Sequence, residues 1–220
     1  MYNWHFEVVW DYQGVFYHGA LVTAQLTGFA FTIGILGGLL IAFSRLSRFR
    51  VVRLPAAFYV EVFRSTPALV QLVWIYYAMP ILMGVQLSAF VSVAVGLGLH
   101  TIADFGEIFR AGILSIDRGQ TDAAKAVGMQ YRQTMWRIIL PQAVRRMVPP
   151  FMNETANLVK LTTLGSILAV YELLHASNNL ITTTYRPLEV YSAVAIAFAI
   201  IIYPIIYFSR QLEKYWEKKS

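Results

Sequence analysis

The chain has 220 residues, 57% of them hydrophobic and 15% aromatic, with a positive mean hydropathy. That is more apolar surface than one soluble core of this size hides, so the composition points to a membrane protein. The formal net charge of +6 does not signal nucleic acid, because the basic residues come in bursts between apolar runs, as under the positive-inside rule. The absence of cysteine excludes disulfides and thiolate metal sites.

Before the first apolar run, residues 1–11 carry Glu7 and Asp11 but no Lys or Arg, unlike the basic flank of a cleavable signal peptide. Residues 4–18, rich in Trp and Tyr, read either as a short helix lying on the outer membrane interface or as a frayed terminus. Five runs are then long and apolar enough to cross ~30 Å of hydrocarbon, which takes roughly 20 helical residues. They lie near 20–43, 54–79, 87–110, 142–168 and 187–208, and the chain reads as one transmembrane domain over 1–220. In the first run, Gly34, Gly37 and Gly38 allow close helix contact.

The links between runs set an orientation. Arg45, Arg48, Arg50 and Arg53 follow the first run, and 80–86 after the second has no charge. Basic residues also fill 117–141 and continue to Arg145 and Arg146, whereas 171–186 holds one basic residue among Asn and Thr. The chain ends with Arg210, Lys214, Lys218 and Lys219. Together these predict an all-α protein with five spans, its N-terminus outside and its C-terminus in the cytoplasm.

The polar stretch 117–141 is the largest interruption. Thr121 can cap a helix with Asp122 in its first turn, and Gly128 can end it in the left-handed conformation. Only Ala123, Ala124, Ala126 and Val127 lie between, so another backbone can approach closely. From Gln130 the pattern sets Met135, Trp136, Ile139 and Leu140 against Gln130, Arg132, Gln133 and Arg137. This is a docking element for a separate subunit.

Charges within the runs are costly at membrane depth and are functional candidates. Glu61, Asp104 and Glu107 fall in the inner third, with Arg64 slightly deeper. They form either an ion-pair cluster joining the second and third runs or a substrate contact. In the fourth run, Pro150, Asn153, Glu154, Asn157 and Lys160 recur every three or four residues and draw one polar stripe. Glu154 lies ~10 Å inside the cytoplasmic boundary and Lys160 ~10 Å further, at ~1.5 Å per residue. Pro149 and Pro150 invite a kink below, and Thr162, Thr163 and Gly165 add hydroxyls and flexibility above. The stripe is either a cavity wall or a glue between helices. As a wall it suits a zwitterion, with Glu154 for an ammonium and Asn157 and Lys160 for a carboxylate.

No Gly-x-x-x-x-Gly-Lys-Ser/Thr cradle occurs, and Gly96-Leu-Gly98 lacks the third glycine of a dinucleotide site, so the chain is not expected to bind ATP. His5, His18, His100 and His175 are scattered, which predicts no metal site, and no nucleophile motif points to an enzyme.

The motif Asp122-Ala-Ala-Lys-Ala-Val-Gly128 followed by Ile139-Leu-Pro-Gln142 resembles the EAA loop of bacterial ABC importer permeases, with Asp in place of the usual Glu. Glu61-Val-Phe-Arg-Ser-Thr-Pro67-Ala-Leu-Val-Gln71, Glu107-Ile-Phe-Arg-Ala-Gly112 and Arg118-Gly-Gln120 look like the polar amino acid branch of that family, the histidine, glutamine, arginine and glutamate/aspartate type. The resemblance implies a five-span inner-membrane permease, paired with itself or a sister chain and moving a polar amino acid by alternating access. It also implies two ATPase subunits below, holding the ATP and Mg, and a periplasmic binding protein above. Gln120, Asp122, Ala123, Ala124, Ala126, Gly128 and Pro141 would couple to the ATPase; Arg64, Asn153, Glu154, Asn157, Lys160, Thr162 and Thr163 would line the substrate path. Leu161 stands where many relatives carry Asp or Asn, which leans away from a cationic amino acid. The competing reading is a passive channel or ion-driven carrier with no ATPase partner.

Overall fold

The computed structural model describes residues 2–217, and helices make up all the regular structure among them. The charge-bearing Lys218 and Lys219 lie outside the described residues. A five-residue helix α1 (Glu7–Asp11) leads into α2 (Gln13–Leu46), so residues 13–18 belong to the first long helix rather than to a separate interfacial one. The segment before α1 is tied down rather than frayed. Tyr2 donates to the Glu189 carboxylate at 2.6 Å, the His5 amide donates to it at 3.0 Å, and Arg186 donates to the Asn3 carbonyl.

The second run breaks. Helices α3 (Arg50–Ser65) and α4 (Ala68–Met83) meet at 105°. Thr66 and Pro67 are both extended, because a proline lacks the N–H a helix needs and pushes the residue before it out of helical backbone. Next comes α5 (Ala89–Leu114), capped by the Ser88 hydroxyl. The polar stretch folds as α6 (Arg118–Ala126) and α7 (Tyr131–Thr134), and a π-helical turn, Met135–Ile139, joins α7 to α8 (Leu140–Leu161). Helix α8 runs unbroken through Pro149 and Pro150; the chain tightens instead at its far end, in a 3-10 segment over Thr162–Leu168. Residues 171–186, expected as a plain outer loop, contain α9 (Leu173–Thr184), bent 49° from the preceding segment. The last helix, α10 (Pro187–Glu217), outruns the predicted 187–208.

Helices α2, α5 and α10 are each long and apolar enough to cross a membrane, and the two bent pairs raise the number to as many as five. The core forms where α2 lies against α5. Gly34 faces Thr101 and Phe105, and Gly38 faces Phe105 and the backbone of Gly106, so the absent side chains set the helix separation. Phe105 is fully buried and its ring meets Phe31, Phe109 and Phe151, which brings α8 onto the same core. At the other end, buried Glu172 caps α9 by accepting from the amides of Leu174 and His175, while the Leu173 amide donates to Thr23 of α2.

Candidate functional site

The polar loop is built as a stiff projection. Its first helix starts at Arg118, earlier than the Thr121 cap predicted, because the Asp117 carboxylate accepts from the Gly119 amide at 2.6 Å. The signal was present as Asp117-x-x-Gln120, an acid cap followed three residues later by Gln. The helix ends as Gly128 predicts, with φ at +80°. The Met129 amide reaches the Ala124 carbonyl and the Gly128 amide reaches Lys125, the paired bonds of a Schellman motif.

Ala124 is buried, while Gln120, Asp122, Ala123, Ala126, Val127 and Pro141 are exposed and free to meet another molecule. Asp122 and Lys125 pair across the surface at 3.6 Å. In α7, Gln130 and Gln133 cap each other. The predicted apolar face needs correction, since the π turn widens the coil. Ile138 and Ile139 point inward with Met135, and Trp136 turns out, 69% exposed. Ile116, Ile139, Ala143 and Met147 then pack as one cluster, and Arg146 donates to the Ser115 carbonyl. Loop, end of α5 and foot of α8 are thereby one unit.

The membrane-depth charges divide differently from expectation. Arg64 of α3 donates to Asp104 of α5 at 3.2 Å, and Glu107 pairs with Arg45 of α2 and with Arg110 one turn on. Glu61 is exposed and joins no pair among the described residues, so it leaves the cluster; Arg45, Arg110, His100 and Gln71 enter it. Of these, Arg110 had a local signal, its three-residue spacing from Glu107. His100 had one too, four residues before Asp104 on α5, whereas Arg45 and Gln71 are cross-helix partners that no spacing along the chain reveals.

On α8, Pro150, Asn153, Asn157 and Lys160 lie exposed on one side with Glu154 half-buried, and Asn157 donates to Glu154 at 2.9 Å. Among the described residues none of these bonds to another helix, so within this chain the stripe is not a glue. Thr163 donates to the Lys160 carbonyl beside it. Thr162 departs from the predicted path: it is fully buried and its hydroxyl is spent on the Val159 carbonyl.

Stripe and cluster meet in an open cleft of about 540 Å³. Arg64 of α3, Asp104 and Glu107 of α5, and Asn153 and Glu154 of α8 all line it, with Arg146 at its foot. Acid and cation thus face one space from different helices, above the loop that Arg146 helps to hold.

Residues 34–219 match the family described as binding-protein-dependent transport system inner membrane component. The chain is 35% identical over 196 residues, 89% of its length and 90% of the relative's, to a putative glutamine transport system permease protein of Rickettsia felis. It is 30% identical, with the same coverage, to the arginine transport system permease protein of Bacillus subtilis. A crystal structure of an amino acid ABC transporter with histidines superposes with a TM-score of 0.90 at 31% identity, covering 97% of this chain and 99% of that one.

Proposed function

The chain belongs to the family of binding-protein-dependent transport system inner membrane components, the permeases of ABC importers, and from that premise we propose that it carries a polar, zwitterionic amino acid along the exposed face of α8. The relatives are permease components, and ATP hydrolysis is the work of a separate subunit. A passive channel or ion-driven carrier finds no support among them.

The observation that carries the reading is the cleft shared by Glu154 and Arg64. A zwitterion needs an acceptor for its ammonium and a donor for its carboxylate, at membrane depth where leaving either unmatched is costly. Glu154 supplies the first, and Arg64, with Lys160 two turns above Glu154, supplies the second. Because the stripe is exposed on a single chain, a second permease, a copy or a sister, is its natural cover. In this reading the chain crosses the bacterial inner membrane five times, the broken α3–α4 pair counting once, with its N-terminus periplasmic and its C-terminus cytoplasmic. A periplasmic binding protein delivers from above. Two ATPase subunits, holding ATP and Mg, dock on the face of α6 that carries Gln120, Asp122, Ala123 and Ala126. Leu161 gives no carboxylate for a cationic side chain, which favours a neutral amino acid such as glutamine.

The test is amino-acid-stimulated ATPase activity and uptake by the complete assembly in vesicles, with a panel of amino acids. Glu154→Gln and Lys160→Met are expected to lower uptake about tenfold or more, roughly 1.4 kcal/mol of lost stabilisation each. Wild-type uptake in both variants would sink the pathway.

A further inference from the structure

At the α3–α4 bend the proton count of one histidine can be read from its neighbours. The Thr66 hydroxyl donates to the Val62 carbonyl at 2.8 Å, so toward Gln71 it can only accept. The Gln71 Nε2 lies 2.7 Å from that hydroxyl oxygen, 2.8 Å from the Phe63 carbonyl and 3.1 Å from the Thr66 carbonyl. Three acceptors with no hydrogen to offer fix the amide nitrogen on that side and its oxygen on the other. That oxygen is 3.0 Å from Nδ1 of His100, so Nδ1 carries a hydrogen. The second ring nitrogen, Nε2, faces Oδ2 of Asp104 at 3.4 Å. Asp104 in turn accepts from Arg64 through Oδ1, an arrangement suited to a carboxylate rather than an acid. A neutral ring with its one hydrogen on Nδ1 would turn a lone pair toward that carboxylate.

We infer that His100 stands in this arrangement as an imidazolium, donating from Nδ1 to Gln71 and ion-paired through Nε2 with Asp104, and that it is a positioning residue linking the α3–α4 bend to the Asp104–Arg64 pair of the cleft. Gln71 holds the carbonyls that the break leaves without a helical partner, and His100 holds Gln71. Loss of the second ring proton breaks one side or the other: either the ring keeps Gln71 and repels Asp104, or it turns to Asp104 and frees Gln71. The charged group against the ring is Asp104 on its own helix, and Arg64 of α3 reaches the same carboxylate. About two turns along α5 from His100 lies Glu107 and nearly three turns along lies Arg110, with Arg45 of α2 paired to Glu107. Tyr59 is engaged with the Leu99 carbonyl.

The transport arm rests on the permease reading above; the spectroscopic arm does not. In the complete assembly in vesicles, transport is followed from about pH 5.5 to about pH 8.5. Wild-type transport is expected to fall at least about threefold as pH rises, while His100→Gln, which cannot titrate, loses that dependence. In parallel, the assembly with ¹⁵N-histidine in this chain gives a His100 signal assigned by its loss in His100→Gln. Both ring nitrogens are expected to be protonated at about pH 7, whether or not the assembly transports. A ring protonated on one nitrogen alone at that pH overturns the inference, as does a pH profile unchanged in His100→Gln. No transport by the wild type at any pH would overturn the permease reading instead, leaving the nitrogen spectrum to decide His100.

Discussion

Gly38 shows how little space separates the two central helices. A Cβ there would lie 2.9 Å from Cβ of Phe105 and 3.0 Å from the Gly106 nitrogen, and neither atom can swing away as a flexible side-chain tip would. Gly38→Val is therefore expected to destabilise the fold by about 1–3 kcal/mol, the usual cost of overpacking. Gly28 is the control, since a Cβ there meets nothing within 4 Å. Gly28→Ala should be neutral or stabilise by less than about 1 kcal/mol. Thermal unfolding in detergent separates the two; equal melting temperatures would mean that α2 and α5 are not so closely apposed. The same scale explains why Thr162 misled a reading by spacing. A threonine in line with a polar stripe can as easily spend its hydroxyl on its own helix, and only the fold decides which.

Among the elements, the polar loop was the most legible from sequence and the second run the least. Gly128 announced the end of α6 because glycine is the residue most often found in the left-handed conformation that closes a helix, whereas the left-handed ends at Ala169 and Tyr185 carried no such signal. The φ of +80° at Gly128 makes Gly128→Val strained by roughly 1–2 kcal/mol even though the surrounding space is open. The strain falls on the Schellman turn, so the expected result is a misaimed α7 and reduced stimulation of the partner ATPase, with the membrane helices melting as in the wild type. Unchanged ATPase stimulation would show that the turn does not transmit. By contrast, Thr66-Pro67 lay inside a run read as one span near 54–79 and is a 105° corner. Hydropathy averages over such a corner, since both arms are apolar. Gln71, in the first turn of α4, serves the nearby carbonyls of Phe63 and Thr66, but its own partner His100 comes from α5, which no local pattern announces.

For the whole molecule, the apolar runs and their order were readable because every span must satisfy its own backbone in hydrocarbon. The pairing of Arg45 with Glu107, or of Tyr2 with Glu189, was not, because those residues are 62 and 187 positions apart. Orientation has a clean test, since the chain has no cysteine and a single introduced thiol reports one place. In the permease expressed alone, Val85→Cys between α4 and α5 is expected to react with an impermeant thiol reagent from the periplasm, and Val127→Cys beside Gly128 only in inverted vesicles. The opposite pattern would reverse the topology.

The π turn at Met135–Ile139 has a further consequence. Such a turn holds one residue more than an α turn, so the chain carries a unit of slack where the loop hands over to α8. Deleting one residue there leaves an ordinary α turn, and the polar side of α8 keeps its bearing on the cleft. The same change within the regular part of α8 would swing everything beyond it by about 100°. The phase between α6 and the polar side of α8 is protected at that one turn.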